Sequence, residues 1–113
     1  MTLAEFIKST FKDTFTPLFR PKIVCEDGFT MSVQGSHGHY CMPRENSSLY
    51  YAMEIGYPSQ VETLLLEFAE DPSTPTETVY SYVPIEVIER VIESHGGIDE
   101  EMTFNSEKKI LDI

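Results

Sequence analysis

The most reactive side chains of this sequence gather in its first half. His37, His39 and Cys41 recur at every second position, and Cys25 stands across a preceding turn. On an extended strand that spacing points all three side chains to one face. Two imidazoles and two thiolates would suit tetrahedral zinc. The spacing is none of the usual finger or ribbon patterns, however, and Gly38 interrupts a regular strand. No metal is therefore assigned, and a structural loop around a buried cysteine is the plainer reading. Cys41 with either histidine would also supply a thiol and a base. That chemistry needs an activated thiolate, a positioned base and an oxyanion site, and no recognisable orienting signature accompanies the pair.

The same loop continues into Tyr40, Pro43 and Arg44. His39, Tyr40 and Arg44 form a candidate polar site, in which the arginine fork would take a carboxylate or phosphate. The plainer alternative is that Arg44 neutralises Glu45 or Glu54. Gly35-Ser36-His37-Gly38 lacks the spacing and the lysine of a phosphate loop. Asp71 to Glu77 lacks the alternating oxygen ligands and central glycine of a calcium loop. The chain is read as a non-enzyme with no cofactor.

Charge is the stronger signal. The chain has 113 residues, 19 acids, 8 bases and a net charge of −11. Residues 1–44 are near neutral at +1, whereas residues 45–107 hold fourteen acids and a single base, Arg90, for a net of −13. So negative a chain repels phosphate, which argues against direct binding of nucleic acid or of anionic membranes. Tyrosines lie among the acids, and tyrosine is favoured at recognition surfaces. Tyr50, Glu54, Glu62, Glu67, Glu70, Asp71, Glu77, Tyr80 and Tyr82 are the candidate partner-binding residues, for a protein partner with a basic surface. A solvated face that keeps the chain in solution is the plain alternative.

Several elements must position these residues. Thr2 and Glu5 make a capping box, followed by Leu3, Phe6, Ile7, Phe11, Phe15 and Leu18 at helical spacing. Pro17 and Pro21 end that helix. Asp27-Gly28 between two short runs predicts a hairpin, with Phe29, Met31 and Val33 on one face of its second strand. Residues 49–57 read as a strand with Tyr51, Met53, Ile55 and Tyr57 together and Tyr50 on the other face. Residues 59–70 fit a helix or a strand, with a slight lean to the strand. Thr78–Val83 reads as a strand, Pro84 as a first helical residue, and Ile85, Ile88, Val91, Ile92 and His95 as one helix face. His95 suits the negative end of that helix, and Gly96 its left-handed close. The expected architecture is α+β: a mostly antiparallel sheet of four to five strands, an N-terminal helix and a second helix near the C-terminus. Residues 1–98 form one domain, and residues 99–113 a charged tail or a late edge element. With no leader pattern, no run of 18 apolar residues and only two cysteines, the expectation is a cytosolic chain with reduced thiols.

The runs Asp27–Gln34, His39–Arg44, Glu54–Ser59, Val79–Pro84 and His95–Gly97 resemble small uncharacterised proteins encoded by bacteriophages and prophages, over roughly residues 26–98. The resemblance carries no activity. It implies a setting, the cytoplasm of a bacterial host. Combined with the acidity, it gives the expectation of a phage accessory protein that inhibits or modulates a nucleic-acid-handling or defence system. Such a protein would mimic nucleic acid on a basic surface of a host protein. The alternative is a small metal-binding or enzymatic module centred on Cys25, His37, His39 and Cys41.

Overall fold

Thr2 starts the first element as its capping box requires. Its hydroxyl accepts the Glu5 N–H at 3.1 Å, and the Glu5 carboxylate accepts the Thr2 N–H at 2.9 Å. The computed structural model describes the backbone of residues 1–111 and the side chains of residues 1–105. Helix α1 (Leu3–Ser9) buries Leu3, Phe6 and Ile7. It is shorter than the apolar spacing predicts. The Ile7 carbonyl, which residue 11 would use in a longer helix, is taken by the buried Arg20 guanidinium at 3.3 Å. Phe11 and Phe15 consequently leave the core, Phe15 being wholly exposed, while Leu18 returns to it.

The sheet has four strands in the order β1-β2-β3-β4, and every neighbouring pair is antiparallel. β1 (Ile23–Val24) and β2 (Thr30–Gln34) form the predicted hairpin, with Gly28 at φ +94° in the turn. Met31 and Val33 face the core. β3 (Ala52–Gly56) is shorter than the predicted 49–57 strand, and its tyrosines are reversed: Tyr50 is buried, whereas Tyr51 and Tyr57 are exposed. Tyr51 precedes the regular strand, and its N–H donates to the Met42 carbonyl at 2.8 Å. Tyr57 turns away at φ 49°.

Residues 59–70 form no strand. They run through successive turns, including one turn of 3₁₀ helix at Leu66–Phe68, and only Ala69 bridges the sheet, opposite Tyr80. Leu65 alone of the leucines here is fully buried. Ser59 pins the start of this segment to Thr30 through both its N–H and its hydroxyl, at 2.8 and 3.0 Å. β4 (Val79–Pro84) returns along β3 and leads directly into α2 (Ile85–Ser94), so Pro84 closes the strand as the helix cap instead of opening the helix. Ile88, Val91 and Ile92 are buried beneath α2. The Gly96 N–H bonds Glu93 O and the Gly97 N–H bonds Ile92 O, closing the helix with Gly96 at φ +87°.

A third helix, α3 (Glu100–Leu111), occupies most of the region expected as a charged tail. The last two residues of that tail, 112 and 113, lie outside the described residues. Asp99 caps the helix by accepting the Met102 N–H at 2.9 Å. Thr103 is buried against β1: its Oγ1 accepts the Val24 N–H at 3.0 Å and donates to the Val24 carbonyl at 3.2 Å. Asp99 N–H reaches the same carbonyl at 2.8 Å. The helix thus covers a short edge strand that would otherwise offer unpaired backbone groups. The α+β architecture read from the sequence holds, with an antiparallel four-stranded sheet flanked by N- and C-terminal helices.

Of the glycines, Gly35 has the closest neighbour. A methyl group there would lie 2.6 Å from Tyr50 Cζ, with two more ring carbons within 2.9 Å. Gly35→Ala is expected to destabilise the protein by about 1–3 kcal/mol through overpacking. Urea unfolding would show this as a lower midpoint at constant slope, whereas an unchanged midpoint would mean that the ring yields freely.

Candidate functional site

The four candidate metal and nucleophile residues do not converge. Cys25 is buried at the end of β1 opposite Ile98, and Cys41 is buried in the loop after β2, its Sγ 3.2 Å from the Ser36 carbonyl. Among the described residues no group of three or more His, Cys, Asp and Glu side chains is placed to hold a metal ion. Burial pushes the Cys25 thiol up to about 11, helped by the charges of Asp27, Glu26 and Glu62, and burial also raises Cys41. Both sulfurs are therefore thiols at neutral pH, the unreactive form. His37 is exposed. His39 is turned inward, where burial lowers its pKa; its Nδ1 shares a 2.6 Å hydrogen bond with Ser36 Oγ, and the Phe19 ring meets it edge-on.

The acid and tyrosine candidates divide by burial. Tyr50 and Tyr80 are core residues, so neither ring is available to a partner. Glu62 is nearly covered, and its carboxylate bonds His95. Glu67, Glu70, Asp71 and Glu77 are exposed along the 66–77 turns, and Glu86, Glu89 and Glu93 are exposed along α2 with Arg90. Glu54 is half-buried in β3 and Tyr82 is exposed in β4.

A bulge explains the exposure of Tyr82. Met53 faces Val83 and Ile55 faces Tyr80, so Glu54 alone spans Ser81 and Tyr82. Strict alternation would place Tyr80 and Tyr82 on one face. The extra residue instead buries Tyr80 and Val83 and throws Tyr82 outward at φ 53°. A bulky side chain in that region costs roughly 1–3 kcal/mol, and such strain concentrates at functional positions. The Tyr82 N–H donates to the Tyr40 carbonyl at 3.1 Å, which brings the Tyr40 ring to 6.0 Å from the Tyr82 ring at 49°. Glu54 Oε1 accepts the Tyr40 N–H at 3.2 Å, and the Arg44 guanidinium lies 5.3 Å above the Tyr40 ring. Of the candidate polar site, Tyr40 and Arg44 thus meet at the surface while His39 does not. Among the described residues Arg44 forms no ion pair with Glu45 or Glu54; it stacks on tyrosine.

Two charged assemblies carry no local sequence signal. Arg20 is buried without a carboxylate among the described residues. Nε donates to Thr10 Oγ1 at 2.8 Å, Nη1 to Gly35 O at 2.9 Å, and Nη2 to Ser47 O at 2.9 Å as well as to Ile7 O. His95 is buried at the end of α2, stacked on Phe29 with ring centroids 4.0 Å apart. Its Nδ1 meets Asp27 Oδ2 at 2.6 Å and its Nε2 meets Glu62 Oε1. An ionised carboxylate can only accept, so two such partners suit a ring that carries hydrogen on both nitrogens, the imidazolium, and they raise the His95 pKa. Both assemblies join distant segments of the chain.

A shallow groove of about 380 Å³ lies between Leu3 and Ile92, with Glu89 and Glu93 on its wall. No helix among the described residues is long and apolar enough to cross a membrane. No protein-family model, curated protein or solved structure matches the chain.

Proposed function

We propose that this is a non-enzymatic binding protein that docks on the basic surface of another protein. The observation that carries the reading is the net −13 over residues 45–107, seven of whose fourteen acids stand exposed along the 66–77 turns and α2. Mixed signs are the usual surface arrangement, because a single-sign field repels itself. Such a field steers association with a positive partner and makes it fast and salt-sensitive. The sequence resemblance to phage and prophage proteins supports a partner in a bacterial cytoplasm, among nucleic-acid-handling or defence proteins whose basic surfaces hold DNA or RNA. Occupying that surface inhibits or modulates the partner. The unactivated thiols and the scattered histidines favour this reading over a metal or catalytic module.

Affinity purification from infected cells, followed by measurement of the captured complex across a salt series, tests the proposal. Affinity is expected to fall at least tenfold between 50 and 300 mM salt, and to fall further when Glu67, Glu70 and Glu77 are changed to lysine. Binding that ignores both salt and charge reversal would overturn it.

A further inference from the structure

We infer that the corner formed by Tyr40, Glu54 and Tyr82 is a guanidinium site, at which an arginine side chain of the basic partner docks. This rests on the acidic-docking reading and names the chemistry of its contact point. The ring of Tyr40 already bears a guanidinium in the free protein, that of Arg44 at 5.3 Å, so the geometry admits this group. Tyr82, 6.0 Å away and tilted by 49°, supplies a second aromatic surface at an angle to the first. Both rings are accessible, at 40% and 43% exposure. Glu54 adjoins both residues, opposite Tyr82 at the bulge and with Oε1 accepting the Tyr40 N–H, which leaves Oε2 as a further acceptor. Aromatic faces attract cations through their quadrupole, and a carboxylate beside them adds charge.

Arginine suits this corner better than lysine. A planar guanidinium stacks on tyrosine while its fork reaches a carboxylate, whereas an ammonium is a compact, strongly hydrated point charge. An apolar ligand would leave Glu54 desolvated without compensation. The bulge fixes the main chain that presents Tyr82 outward before binding, so little backbone order is lost when the ligand arrives. Arg44 acts as an internal stand-in that a partner arginine displaces or stacks beside.

Titration of the full chain with hexa-arginine and hexalysine peptides at low salt, by calorimetry, tests the site. Hexa-arginine is expected to bind about tenfold more tightly than hexalysine. Tyr40→Ala, Glu54→Gln and Tyr82→Gly are each expected to weaken hexa-arginine about tenfold and to leave hexalysine within twofold. Tyr82→Gly suits the left-handed backbone at that position, and thermal unfolding of each variant confirms that it is folded. Equal affinity for the two peptides, or folded variants that bind hexa-arginine like the parent, would overturn the guanidinium site and leave the acidic-docking reading standing. A parent chain that binds neither peptide would overturn both.

Discussion

Replacing Arg20 with methionine is expected to lower the melting temperature by more than about 10 °C. Methionine retains the apolar stem and removes every donor of the guanidinium. The carbonyls of Ile7, Gly35 and Ser47 would lose their partner, as would the Thr10 hydroxyl. A buried acceptor left unsatisfied costs about 1–3 kcal/mol, so a combined loss of roughly 3–5 kcal/mol is reasonable even with partial rehydration. At this chain length each kcal/mol corresponds to about 4 °C. Buried ion pairs are sometimes replaced by apolar residues without loss, because both charged partners go together. Here the acceptors are mainly main-chain carbonyls, which no side-chain substitution removes. Arg20→Lys keeps the charge but cannot span three carbonyls with a compact ammonium, so it is expected to recover less than half of the loss. Scanning calorimetry on both variants decides the matter. A fall of less than about 4 °C for Arg20→Met would show that the loops resolvate freely and that Arg20 is not what joins them.

What could be read in advance divides along the reach of each interaction. The hairpin at Asp27-Gly28, the alternation of Phe29, Met31 and Val33, the capping box at Thr2 and the Gly96 closure of α2 are all encoded within a few residues, and each is found where the sequence placed it. Arg20 is different. Its acceptors lie at residues 7, 10, 35 and 47, and in the run Pro17-Leu18-Phe19-Arg20-Pro21 nothing marks it as inward-facing. The long N-terminal helix failed for the same reason, since a residue thirteen positions away takes the carbonyl that would continue it. Tyr80 and Tyr82 read alike as partner-binding candidates, because nothing local marks the bulge whose extra residue sends Tyr80 into the core and leaves Tyr82 at the surface. The acid-rich candidates are legible as a region of charge, but the separation of buried Tyr50 and Tyr80 and half-buried Glu62 from exposed Tyr82 and Glu67 requires the fold. His95 was placed correctly at the helix end; its partners, 33 and 68 residues away, were not visible there.

The stability of the protein is expected to fall as pH rises above neutrality, because of that histidine. Burial alone would push His95 down, but its hydrogen bonds to Asp27 and Glu62, and their charges, hold its pKa above the ordinary value. The folded state therefore favours the imidazolium. The stabilisation is complete below the unfolded value of about 6.5 and is lost as pH climbs through the higher folded value. Asp27 works in the opposite direction. The Phe29 N–H and His95 hold it below the usual carboxylate range, so its contribution is present above about pH 3.9 and is lost as pH falls through its lower folded value. The two together favour a stability maximum in the mildly acidic range, between about pH 4 and 6.5. Cys25, also close to Asp27 and Glu62, stays a neutral thiol across this range because its pKa is pushed up to about 11. His95→Gln tests the imidazolium directly. A glutamine amide donates from one end only, so one carboxylate loses its donor, at a cost on the order of 2 kcal/mol, or about 8 °C, at pH 6. The gap between parent and variant is expected to shrink steadily toward pH 9, and a double-mutant cycle with Glu62→Gln at pH 6 should show strong coupling. If parent and His95→Gln instead show parallel stability profiles from pH 5 to 9, His95 titrates alike in the folded and unfolded chain and its carboxylate partners add no preference for the imidazolium.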